Sequence, residues 1–82
     1  MRNFVLVRKN IQFILMKSDK LLSRHNSNLI QEFIDNNEYG LAFDGCLHPY
    51  YIEGHPIDDD VREKLVETAA ILGVELPNKR TL

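Results

Sequence analysis

Residues 38–52, EYGLAFDGCLHPYYI, decide the fold. Tyr39, Ala42, Phe43, Cys46, Leu47 and Tyr50 recur at intervals of three and four, the spacing that gathers side chains on one face of an α-helix. Glu38 stands at the start, where a carboxylate suits the positive end of the helix dipole. Leu41 and Ile52 fall on the opposite side, so both faces of this helix are expected to be covered. Gly40 is a poor helix former, costing about 1 kcal/mol relative to Ala. Close approach of another helix to its backbone is the expected reason for it. Pro49 removes one helical hydrogen bond at a cost of about 3 kcal/mol. The pattern therefore predicts a kink or a restart near His48, not a straight rod.

The flanking segments read as helices too. Gly54-His55-Pro56 is a turn signal. A fourth helix is expected from Asp58 to Leu72, with Asp58, Asp59 and Asp60 in a favourable first turn. Its apolar stripe is Ile57, Val61, Leu65, Ala69 and Leu72. Gly73 suits the residue just past its end, and Pro77 lies beyond. Upstream, Leu22, Leu29, Ile30, Phe33 and Ile34 share a stripe. Ser18 and Asp19 are its candidate N-caps, although Asn26-Ser27-Asn28 weakens the middle and leaves Ser27 as an alternative start. Asn36-Asn37 is its expected stop. From Phe4 to Met16 the positions Phe4, Val7, Ile11, Ile14 and Leu15 favour a helix over two short strands joined at Arg8-Lys9-Asn10. The tail from Asn78 to Leu82 is expected to fray. The whole reads as one all-α domain spanning residues 1–82, a compact bundle of about four helices.

With 82 residues there is room for one small core. At 44% hydrophobic and 27% charged residues, disorder is not indicated. No apolar run approaches the roughly 18 residues of a membrane span. The charged break at Arg8-Lys9 argues against a secretory signal, and Met16 offers an alternative start. A cytoplasmic location is expected. The single cysteine precludes an internal disulfide.

Charge is unevenly spread. Residues 1–24 hold six Lys/Arg and one Asp, whereas residues 25–75 hold two Lys/Arg against eleven Asp/Glu, a balance of −9. Such a surface opposes nucleic-acid binding, which needs a basic footprint, and favours a basic partner. Simple solubility is the bland alternative. A helix-turn-helix DNA reader fits poorly, because the fourth helix opens with three Asp.

Few residue groupings suggest chemistry. Cys46 and His48 are two apart, roughly 160° around a helix, so they do not form a nucleophile–base pair. Cys46 belongs to the apolar stripe and is expected to be buried. Asp44, His48 and His55 match no known metal-ligand spacing, and Asp58-Asp59-Asp60 lacks the alternating ligands and central Gly of a calcium loop. Glu63 and Glu67 with Lys64 read as a solvated face. No phosphate-binding Gly-rich loop occurs. Neither an enzymatic role nor a metal or cofactor is expected. Tyr39 and Tyr50 follow the core stripe, which leaves Tyr51 either as an exposed interface anchor or packed on a neighbouring helix.

The stretch from Leu29 to Ile57, LIQEFIDNNEYGLAFDGCLHPYYIEGHPI, resembles the MafI-like family of small bacterial immunity proteins. The resemblance rests on Glu32-Phe33-Ile34 before Asn36-Asn37, then Glu38-Tyr39-Gly40-Leu41-Ala42. Leu47 and Tyr51 follow, and Pro56-Ile57 leads into an acidic helix start. It extends to about Gly73, somewhat over half the chain. Pro49 and the beginning of the chain, from Met1 to Leu15, depart from the family pattern. The resemblance implies a protein that binds and neutralises a cognate toxin domain, such as a nuclease, without turnover of its own. A helical adaptor or regulatory subunit of another bacterial complex is the alternative. From charge and expected exposure, the candidate partner-binding residues are Glu38, Asp44, Tyr51, Glu53, Asp58, Asp59 and Asp60. The expected partner is a protein, neither nucleic acid nor membrane.

Overall fold

A computed structural model of the chain describes residues 3–77. They form an all-α bundle of four helices: α1 (Phe4–Lys17), α2 (Arg24–Asp35), α3 (Tyr39–Leu47) and α4 (Asp59–Leu72). A 3-10 turn (Asp19–Leu21) follows α1, and a π-helical turn (His48–Ile52) continues α3. The tail from Asn78 to Leu82 lies outside the described residues. No helix among the described residues is long and apolar enough to cross a membrane.

The first segment is a helix, not a hairpin. Asn3 caps it, its Oδ1 accepting from the Leu6 N–H at 3.1 Å. Val7, Ile11 and Ile14 are buried on one side. Ser18 corrects the sequence reading, which made it and Asp19 the candidate N-caps of α2. Ser18 instead ends α1, its N–H bonded to the carbonyls of Ile14 and Leu15. Its hydroxyl is buried and lies 2.6 Å from the Tyr50 hydroxyl. That bond holds Ser18 in the core and joins the end of α1 to the turn after α3. Ser23 caps α2, with Oγ accepting from the Asn26 N–H at 3.0 Å. Neither Ser18 nor Ser27 starts that helix.

Two helices end in the same way. After α2, Asn37 takes a left-handed conformation (φ 61°), its N–H bonds Ile34 and the Glu38 N–H reaches back to Phe33 at 2.8 Å. After α4, Gly73 (φ 72°) and Val74 repeat the pattern onto Ala70 and Ala69. Both are Schellman closures, which satisfy the last carbonyls and favour Asn or Gly at the left-handed position.

Pro49 acts where the sequence placed it. Lacking an N–H, it cannot continue the ladder of α3. The backbone widens into a π-helical turn, with the Glu53 N–H bonded to His48 at 3.1 Å. The turn keeps Pro49 and Tyr50 buried.

The core is one cluster. Phe43, Ile11, Ile14, Ile34, Leu65 and Val7 are its largest fully buried side chains. α1 packs chiefly on α4, and α2 on α3, with α1 also lying against α3. Asn10 of α1 is only 2% exposed and donates to Glu67 of α4 at 2.8 Å. A buried amide must find such a partner, since leaving it unpaired is unfavourable by about 1–3 kcal/mol.

Candidate partner-binding surface

α3 carries little charge on any face. Its nine residues include one ionisable carboxylate, Asp44, and no Lys or Arg. The inner face supplies Ala42, Phe43, Cys46 and Leu47 to the core. Leu41 does not follow the expectation of a helix covered on both faces: it is 50% exposed. Ile52, at the end of the π-helical turn, is 73% exposed.

The close approach between helices occurs at Gly45, not at Gly40. A Cβ on Gly40 would meet nothing within 4 Å. A Cβ on Gly45 would lie 2.7 Å from Ile30 Cγ1 of α2. Gly40 therefore has no packing role of the kind the sequence suggested. Gly45 allows the backbone of α3 to approach Ile30.

Above this contact runs a groove of about 400 Å³ between α2 and α3. Leu29 and Phe33 form its α2 wall, Leu41 and Asp44 its α3 wall, with Gly45 and Ile30 also in its lining. Leu22, Asn26 and His48 complete it. Leu29 is 39% exposed. Asp44 is exposed and has no ion pair or side-chain hydrogen bond among the described residues.

The other candidate residues are spread more widely. Glu38 is exposed at the head of α3 and lines a second trough, which shares Leu41 with the first. Tyr51 is half-buried and packs against the core, so it is the packed alternative and not a freely exposed ring. Glu53 is exposed, its Oε1 3.9 Å from His55 Nε2. Asp58 caps α4 through its backbone and is exposed, as is Asp59. Asp60 is committed within the molecule. It meets the Lys17 ammonium at 3.0 Å and accepts from the Val61 N–H at 2.8 Å. The Lys17 ammonium holds its carboxyl below the usual carboxylate range, and Asp60 in turn raises Lys17. Glu38 and Asp44 thus border adjoining troughs along α3, while Asp58, Asp59 and Asp60 form a separate cluster at the head of α4.

Leu29, Phe33 and Leu41 were not among the candidates. Leu29 and Phe33 were read as core stripe, and Leu41 as covered. The usable signal was the scarcity of charge on α3, which leaves an outer helix face with little to solvate it.

Burial pushes the Cys46 thiol up to about 12, so it is protonated at neutral pH. Asp44 and His48 both line the groove, whereas His55 sits beside Glu53. Among the described residues, no group of three or more His, Cys, Asp or Glu is placed to hold a metal ion. No protein-family model, curated protein or solved structure matches the chain.

Proposed function

We propose that the protein is an immunity protein, acting in the cytoplasm by binding a cognate toxin domain and covering its active or substrate-binding surface. The supporting observation is the position of the α2–α3 groove. Leu29, Phe33, Leu41 and Asp44 all belong to the stretch that resembles the MafI-like immunity proteins, and there they combine exposed apolar surface with a carboxylate that has no ion pair among the described residues. Such a combination suits association: apolar contact supplies affinity, and complementary charge steers the encounter. A nuclease toxin would present a basic surface, because it must hold phosphates. An acidic inhibitor can occupy that surface without catalysis of its own.

Co-expression with a toxin domain encoded next to its gene tests the reading. Growth is expected to recover when both proteins are made, and continued arrest would overturn the assignment. Association is also expected to slow as salt is raised, since exposed charges are screened beyond about 8–10 Å at physiological ionic strength.

A further inference from the structure

We infer that the α2–α3 groove is the docking site for a partner-protein segment that presents a large apolar side chain flanked by Lys or Arg. This rests on the proposed binding function and assigns it a place and an occupant chemistry. Leu29 and Leu41 are exposed on opposite walls of one trough. These are large side chains left in water on facing helices, in a groove with room for an apolar anchor.

The local composition is acidic. From His25 to Val61 the chain contains no Lys or Arg and eight Asp/Glu. Beyond Arg24, α2 and all of α3 therefore contribute no Lys or Arg. Asp44 stands in the groove wall without a cation partner among the described residues. An incoming Lys or Arg would complete an ion pair there, and one beside an apolar anchor would be partly desolvated as the anchor seats. An anionic or purely apolar segment would leave Asp44 buried and unpaired, which disfavours it.

A second copy of this chain carries related chemistry on α1, where Val5 lies near Arg8 and Lys9. Seating that face in the groove would join two different surfaces. Unless two copies exchange these surfaces reciprocally, such a contact repeats head to tail and gives rings or open chains. A foreign segment needs neither exchange nor repetition to give a discrete complex.

The test uses the full chain, 15N-labelled, and three synthetic peptides of equal length: a Leu/Lys amphipathic helix, its Leu/Glu counterpart and oligolysine. The Leu/Lys peptide is expected to shift the amides of Leu29, Leu41, Asp44 and Gly45 saturably. Asp44→Asn should weaken it about threefold to tenfold, and Leu41→Glu should abolish the groove shifts, whereas Glu63→Gln, on the exposed face of α4, leaves binding unchanged. Circular dichroism confirms that each variant is folded. Equal binding of the Leu/Glu peptide or of oligolysine overturns the proposal, as do shifts centred on Asp58 and Asp59. Concentration-dependent groove shifts in the free protein would assign the site to a second copy and overturn it too. Growth rescue is scored separately. Rescue that survives Leu41→Glu would sink the groove and leave the immunity reading intact, while failed rescue by the wild type would sink the immunity reading without altering the peptide result.

Discussion

Gly40 and Gly45 both lie in α3, and replacing each with Ala is expected to act in opposite directions. At Gly40 the new Cβ meets nothing within 4 Å. The substitution should stabilise the protein by about 0.5–1 kcal/mol, by lowering the entropy of the unfolded chain and raising helix propensity. At Gly45 the same propensity gain is opposed by overlap. The Cβ would lie 2.7 Å from Ile30 Cγ1 and 3.0 Å from Cδ1, against an ordinary carbon contact of about 3.5–4.0 Å. Ile30 is 2% exposed, and its branched Cβ fixes the position of Cγ1. Relief requires α2 and α3 to separate or Ile30 to leave its rotamer. Overpacking of this kind costs about 1–3 kcal/mol. The net effect is destabilisation by about 0–2 kcal/mol. The two variants should therefore differ by about 2 kcal/mol.

Urea denaturation followed by circular dichroism reads this directly. With a slope near 1 kcal/mol/M for a small domain, the gap amounts to about 2 M in midpoint. Partner substitutions locate the cause. Ile30→Val removes Cδ1 but keeps a γ-methyl, so it should leave most of the Gly45→Ala penalty in place. Ile30→Ala removes both contacting atoms. It costs about 2–5 kcal/mol alone, but in its background Gly45→Ala should become neutral or stabilising. If Gly45→Ala stabilises the wild type as much as Gly40→Ala does, the inferred close approach of α3 to Ile30 is wrong.

Tyr50→Phe should destabilise by about 1–2 kcal/mol, because it leaves the buried Ser18 hydroxyl without its partner; the double variant Ser18→Ala/Tyr50→Phe should lose less than the sum of the singles in the same assay. The Cys46 thiol, buried and protonated to about pH 12, should resist a thiol reagent at pH 8 and react at full stoichiometry in denaturant. Asp60, whose carboxyl is held low by Lys17, contributes stability above the ordinary carboxylate pKa and loses it as pH falls through the depressed folded value. Lys17 is raised, so its contribution is complete below the ordinary lysine value near 10.5 and is lost as pH rises through the folded one; Lys17→Met should flatten the stability profile at both ends, as measured by thermal melts across pH.

The helices were legible because their cues are local. The Tyr39–Tyr50 stripe, the Asn36-Asn37 stop, Gly73 and the change of helical geometry at Pro49 each act through backbone geometry within a turn or two. Ser18 was misplaced because a serine before an acidic residue has the local chemistry of an N-cap. Only Tyr50, 32 positions away, decides where its hydroxyl goes. Asn10 has the same explanation, since its burial depends on Glu67 of α4. Gly40 and Gly45 are alike as letters, and only the position of α2 tells them apart. Asp60 looked like one of three surface carboxylates until the end of α1 brought Lys17 to it.

The groove belongs with these long-range features. Helical periodicity marks Leu29 as part of a stripe and Leu41 as off one, but neither assignment says whether another element covers it. Coverage is set by how α1 and α4 are distributed. α1 packs mainly on α4 and also lies on α3, while the other side of α3 packs on α2. With no further helix among the described residues to lie across the α2–α3 seam, Leu29 and Leu41 remain accessible. The contact at Gly45 bears on this as well. Separating α2 from α3 would change the spacing of the two groove walls, so Gly45→Ala should weaken binding of the Leu/Lys peptide even under conditions where the variant remains fully folded. Gly40→Ala, on the same helix but away from Ile30, should not. Equal peptide affinity for the folded Gly45→Ala protein and the wild type would show that the spacing of the walls does not matter, and would confine the role of Gly45 to stability.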